Sequence, residues 1–163
     1  MRARGEISTS GPSVVSFSVR RLLKYWLPVL LWMIFILIGS TDLMSAEHTS
    51  RFIGPFLRWF APDISTATVA SIQLLVRKCA HLAEYAILAA LLYRAFRQGQ
   101  DNFRRGAVLA LVVATIYASL DEFHQSFVPS RTGSPYDVAI DVVGALAGVL
   151  IYWGAIHNRK SKI

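Results

Sequence analysis

The sequence predicts an all-α integral membrane protein: a four-helix bundle with a short amphipathic, interfacial segment in its first extracytoplasmic loop. Three observations carry that prediction. Hydrophobic residues make up 54% of the 163 positions and charged residues 17%, with a mean hydropathy of +0.44, which is too apolar for an ordinary soluble domain. The apolar residues gather in four runs, each close to the roughly 20 residues that cross a bilayer as a helix. Most of the basic residues then fall on segments that four crossings would place on one side. The length suits one compact unit.

Residues 1–19 carry Gly5, Gly11, Pro12 and five serines and are expected to form a disordered cytoplasmic tail. The membrane domain is expected over 20–157, with spans at about 22–39, 76–96, 106–127 and 135–156, followed by a basic cytoplasmic tail at 158–163. The first run, Leu22 to Ile38, follows Arg20 and Arg21, as the apolar part of a signal peptide would. No small-x-small cleavage site follows Ile38 and three more runs come later, so it reads as an uncleaved helix. In the long connection after it, Phe52 to Phe60 is rich in aromatics and too short to span. It reads either as a segment in the headgroup layer or as an aromatic lid over the bundle.

Ser134-Pro135-Tyr136-Asp137 is a helix start, with Ser at the N-cap and Pro at the first helical position. Pro129 stops the preceding helix, so spans three and four should be antiparallel neighbours across a connection of about seven residues. Arg2, Arg4, Arg20, Arg21 and Lys24, then Arg94, Arg97, Arg104 and Arg105, then Arg159, Lys160 and Lys162 are twelve of the seventeen Lys and Arg residues. All twelve fall on one side of a four-span topology, which predicts that both termini are cytoplasmic.

The net charge of +7 and pI near 10.0 raise the question of nucleic acid. The basic residues flank apolar runs and do not alternate with exposed aromatics, so they are topology signals and no nucleic-acid partner is expected. Cys79 is the lone cysteine, which excludes an intrachain disulfide; it is expected to pack as a small residue. His48 and His157 read as solvated loop and tail residues, and the Trp and Tyr residues near span ends as interfacial anchors.

Ionisable residues inside apolar runs are costly, about 2.5–3.5 kcal/mol each on insertion scales, and mark function by default. Here Arg77, Lys78, His81 and Glu84 fall in the outer third of span two. Asp121, Glu122, His124 and Gln125 end span three, and Asp137 and Asp141 open span four, with Arg131 in the loop between. The topology converges all of them on the extracytoplasmic interface. At 100° per residue Lys78, His81 and Tyr85 share one face with Glu84 on its flank, and Asp137, Asp141, Gly144 and Gly148 form one stripe. Gly144-x3-Gly148 has the spacing that lets membrane helices approach closely. Arg77, Lys78 and Arg131 stand against Glu84, Asp121, Glu122, Asp137 and Asp141, an excess of negative charge. Protonated His81 or His124, protonated carboxyls, a bound cation or water would balance it.

Lys78-x2-His81-x3-Tyr85, Asp121-Glu122-x-His124-Gln125-x-Phe127, and Pro129-x-Arg131 followed by Asp137 and Gly144 resemble the VanZ-like family of small bacterial membrane proteins. The resemblance covers roughly 22–156. It implies a polytopic protein of the bacterial cytoplasmic membrane, with the namesake's link to low-level resistance to the glycopeptide teicoplanin. It also implies that the family's shared polar residues are Lys78, His81, Tyr85, Asp121, Glu122, Gln125, Arg131 and Asp137. One departure is Asp141, where the family pattern leads one to expect Asn.

The ligand-binding set expected from these readings is Lys78, His81, Tyr85, Glu84, Asp121, Glu122, Gln125, Arg131, Asp137 and Asp141, with His81, Asp121, Glu122 and His124 as catalytic candidates. Several roles are open to it. It could be an ion-pair network that fixes helix register, or a pocket for an anionic or lipid-linked cell-wall component. It could also be a hydrolase or transferase site in which Arg131 and Lys78 grip a phosphate and a histidine acts as base. Four short helices without an inverted repeat argue against a transporter. No cofactor is expected. No metal is expected either, because no His-x3-His or Glu-x2-His pair lies within one helix and Lys and Arg are close by. Membrane lipids are expected partners, and a homo-oligomer is compatible with the sequence.

Overall fold

A computed structural model describes residues 13–41, 46–98, 102–129 and 133–160. These residues form six helices and no strand: α1 (Ser13–Tyr25), α2 (Leu27–Gly39), α3 (Ala46–Phe60), α4 (Thr66–Arg97), α5 (Phe103–Gln125) and α6 (Pro135–Lys160). The disordered tail expected over 1–19 lies outside the described residues up to Pro12. From Ser13 on, the chain is already helical, which corrects that expectation. The sequence signal was the helical spacing of Val15, Val19, Leu22 and Leu23.

α1 and α2 form a nearly continuous helix interrupted at Trp26, across which the Trp26 and Leu30 N–H groups still donate backward to Leu22 and Trp26. Pro28 causes the interruption, because it has no N–H to offer the Lys24 carbonyl. Arg94 of α4 fills that vacancy, donating from Nη2 to the Lys24 oxygen at 3.3 Å. α3 contains the aromatic segment and leaves Phe56, Trp59 and Phe60 largely exposed. α4 starts at Ser65, whose side chain accepts from the Thr68 N–H. Its 32 residues give a length of about 48 Å, well beyond the roughly 30 Å hydrocarbon layer. The second apolar run is thus the inner part of a longer helix whose first turns project toward α3.

α4 touches every other helix. Tyr93 packs on Phe103 at 5.8 Å between ring centroids, Tyr85 lies 6.4 Å from Tyr117, and Arg77 bonds Gln125, so α4 and α5 are antiparallel. Phe103 against Trp153 at 5.0 Å and Ser134 against Glu122 give the antiparallel α5–α6 pair that the short connection predicts. α4 and α6 run parallel. Their contact depends on two glycines: a Cβ on Gly144 would collide with the Leu82 carbonyl oxygen, and one on Gly148 with that of Ala86.

Packing is inverted relative to a soluble bundle. The buried faces carry small residues, Ala107, Ala110, Ala114 and Ala118 on α5 and Gly144, Ala145 and Gly148 on α6. Many large residues point out, among them Leu30, Ile34, Val112, Ile116, Leu150 and Ile151, while Tyr85, Leu88, Leu92 and Tyr93 of α4 fill the interior. Lipid tails are as apolar as leucine, so membrane helices gain by backbone closeness on the inside and lose nothing by greasy exteriors. Three helical stretches are long and apolar enough to cross a membrane among the described residues: Val19–Gly39, Phe103–Gln125 and Pro135–Asn158. α4 is long enough, but Arg77, Lys78, His81, Glu84, Arg94 and Arg97 interrupt its apolar character. Cys79 is exposed, contrary to the packing role expected of it.

Gly148→Ala should force α4 and α6 apart and lower detergent-micelle stability by about 1–3 kcal/mol. Gly154→Ala, where a Cβ meets nothing within 4 Å, should leave it unchanged or raise it by a few tenths of a kcal/mol. Thermal unfolding of the two variants beside the wild type measures the difference.

Candidate functional site

The helix ends fix where the polar side chains meet. Tyr136 donates its N–H to Ser134 Oγ at 3.2 Å, the capping bond that the Ser-Pro start predicts, and α6 begins at Pro135. Asp137 and Asp141 then occupy its first two turns, facing α4 just ahead of the glycine contact. α5 ends at Gln125, bringing Asp121 and Glu122 to the same level. On α4, His81 and Tyr85 lie on the stripe continued by Leu88 and Leu92, all buried.

Seven of the expected site residues are buried together: His81, Tyr85, Asp121, Glu122, Gln125, Asp137 and Asp141. Lys78 sits at the rim, one-third exposed, and its Nζ donates to Asp137 Oδ1 at 2.6 Å. Glu84 is half-buried on the flank facing Gly39 of α2. His124 is exposed on the opposite side of α5, so of the two candidate histidines only His81 belongs to the buried group. Arg131 lies outside the described residues.

Two partners were not on the expected list. Arg77 donates from Nη2 to the Gln125 amide oxygen at 3.1 Å. Gln125 Nε2 in turn donates to Asp121 Oδ2 at 3.1 Å and Ser40 Oγ at 3.3 Å, tying α5 to the end of α2. Ser40 could have been found as the first polar residue after the opening apolar run. Its link to Gln125, 85 residues away, leaves no local mark in the sequence. Trp32 Nε1, donating to the Glu84 carbonyl at 2.8 Å, and Tyr117 Oη, donating to the Met33 carbonyl at 2.6 Å, dock α2 further along.

The inner group is less well satisfied than the rim. Glu122 Oε2 accepts from the Ser134 N–H at 2.7 Å, while Glu122 Oε1 has no partner. Asp121 Oδ1, the Tyr85 hydroxyl, His81 Nδ1 and both Asp141 carboxylate oxygens are also buried without a hydrogen bond. His81 Nδ1 and Asp141 Oδ1 are 3.3 Å apart, yet they lack hydrogen-bond alignment and neither satisfies the other. A ring nitrogen of His81 and one carboxylate oxygen each from Glu122 and Asp141 lie within 4.8 Å of one another. These three side chains can therefore share a proton, a water or a cation.

Lipid-facing helices closing around buried carboxylates and an imidazole define an integral membrane protein with a polar centre at one end of its helices. The chain matches the VanZ/LLP1 family model over residues 25–157 and belongs to that family. No match was found among curated proteins or solved structures.

The Lys78–Asp137 pair should show the sign typical of a mostly buried ion pair. Lys78→Met should cost about 1–3 kcal/mol by leaving a desolvated carboxylate uncompensated. The double variant Lys78→Met/Asp137→Asn should recover a measurable part of that loss. A double-mutant cycle on thermal unfolding in micelles reads the coupling.

Proposed function

We propose that this chain is a VanZ-like protein of the bacterial cytoplasmic membrane whose polar centre faces outward and engages an anionic or lipid-linked component of the cell envelope. In this reading α4 is a fourth crossing, the four helices form a bundle, and both termini are cytoplasmic. The basic residues at 20–24, 94–105 and 159–162 support that orientation. Membrane lipids surround it, and protection against teicoplanin-type glycopeptides is the physiological consequence that the family resemblance suggests.

One observation carries the reading: six polar atoms on His81, Tyr85, Asp121, Glu122 and Asp141 are buried without a hydrogen bond. A network kept only to fix register would be expected to satisfy its members, because each unpaired buried group costs about 1–3 kcal/mol. Groups left open at such a cost suit binding or chemistry. Lys78 and Arg77 at the rim can meet the negative headgroup, and the exposed aromatics of α3 can lie along its lipid.

The approach of His81 to Asp141 at 3.3 Å favours a second reading, a membrane-embedded hydrolase or transferase acting on a lipid-linked, phosphate-containing precursor. His81 would act as general base with Asp141 or Glu122 orienting the ring.

His81→Ala and Asp121→Asn should remove protection against teicoplanin in an expressing cell while the protein accumulates at wild-type abundance. Loss of abundance in step with loss of protection would favour a structural network instead. With purified protein and a lipid-linked precursor, saturable binding without product supports the binder, and product formation supports the enzyme. A reporter fused after Phe60 should be extracytoplasmic, and a cytoplasmic signal there would overturn the outward-facing centre.

A further inference from the structure

We propose that His81, Glu122 and Asp141 hold one divalent first-row metal ion, of the Zn2+ or Mn2+ kind. The three donors come from α4, α5 and α6 and lie within 4.8 Å of one another, and all three residues are buried. Within-helix spacing, the usual trace of a metal site, therefore says nothing about this one.

The state of the donor atoms separates this group from an ordinary acidic cluster. Asp141 is fully buried and neither carboxylate oxygen accepts a hydrogen bond, the one close charged neighbour being His81 Nδ1 at 3.3 Å from Oδ1. His81 Nδ1 and Glu122 Oε1 are open as well. The 3.3 Å between His81 Nδ1 and Asp141 Oδ1 matches the separation of about 3.3–3.6 Å between two ligands of a tetrahedral ion with bonds of 2.0–2.2 Å. Poor alignment for a mutual hydrogen bond is expected where two lone pairs point at a third atom. Drawing in the widest pair takes a side-chain adjustment of about an ångström.

Outer contacts also resemble those of a held ligand set. Glu122 is oriented by the Ser134 N–H on Oε2, which leaves Oε1 inward. Of the two nearby cations, Lys78 is charge-paired with Asp137 at 2.6 Å, and the Arg77 guanidinium is turned to the neutral Gln125 amide at 3.1 Å. Two carboxylates against a 2+ ion make a neutral centre, which low-dielectric surroundings favour. One imidazole nitrogen beside two carboxylate oxygens disfavours Ca2+ and Mg2+, which take all-oxygen shells, and Cu+, which takes sulfur. Three protein ligands leave a coordination position open for water or a substrate oxygen. Asp141 supplies a negative ligand where the family resemblance leads one to expect a neutral amide. Metal binding stands on this geometry alone; only a use of the metal in catalysis would rest on the enzyme reading above.

The full chain, purified in detergent without a polyhistidine tag, is dialysed against Zn2+ or Mn2+ and then metal-free buffer, and metal is counted by mass spectrometry. About one ion per chain is expected for at least one of the two metals. Asp141→Asn and His81→Gln should weaken binding by about tenfold or more, while His124→Ala retains it. Co2+ added to the wild type should give visible absorption bands that Zn2+ abolishes, a readout that needs no variant to fold. Absence of stoichiometric metal and of Co2+ bands, or retention of metal by both site variants, would overturn the proposal. A stoichiometric ion in a protein that neither binds nor converts the envelope lipid would uphold the metal site and remove the functional reading instead.

Discussion

The approach of α4 to α6 at Leu82–Gly144 and Ala86–Gly148 is the constraint on which the rest of the structure depends. With no Cβ on either glycine, the α6 backbone lies against carbonyl oxygens of α4, close enough for Cα–H···O contacts. One turn toward the helix starts, that closeness brings His81 to 3.3 Å from Asp141; another turn on, Lys78 reaches Asp137 at 2.6 Å. Larger residues at Gly144 and Gly148 would push α6 away from the Leu82 and Ala86 carbonyls and shift Asp141 and Asp137 relative to His81 and Lys78. The alanine stripe on α5 extends the same logic to a third helix and brings Glu122 to the group.

The polar centre sits between a rim where charges are paired and an apolar core where Leu88, Leu92 and Tyr93 of α4 pack against the alanines of α5 and the small residues of α6. Lys78 and Arg77 are satisfied by Asp137 and Gln125, and below the centre Tyr117 and Trp32 find backbone carbonyls. The unpaired atoms concentrate between these layers. Polar groups are thus satisfied above and below the centre and left without hydrogen bonds within it.

Much of this was legible in the sequence, for physical reasons. The composition and the apolar runs specify membrane helices because lipid allows few alternatives. Helical periodicity put His81 with Tyr85, and Asp141 with Gly144, on inward faces, where they are found buried. Ser134-Pro135 marked the start of α6 because capping is local. Of the residues in the family's polar pattern, Lys78, His81, Tyr85, Asp121, Glu122, Gln125 and Asp137 lie together, while Arg131 lies outside the described residues; the chain matches the family over 25–157. What was hidden depends on contacts between helices. His124 shares a motif with Glu122 and Gln125, but α5 rotates it to the outside. Ser40 and Arg77 join only because α2 and α4 pack on Gln125. The convergence of His81, Glu122 and Asp141 needs three helices at once. The early start of α1 was masked by a serine-rich composition of low helix propensity, and the extra turns of α4 by polar residues ahead of the second apolar run.

The central claim is that the buried centre is kept open for function and not to hold the helices together. Its most direct test is the thermal stability of the chain with the centre made apolar, His81→Leu/Glu122→Met/Asp141→Val. If the account is right, this triple variant accumulates and unfolds at or above the wild-type temperature, since removing unsatisfied polar groups relieves their desolvation cost. If it unfolds well below wild type or fails to fold, the centre is a structural lock and the account is contradicted.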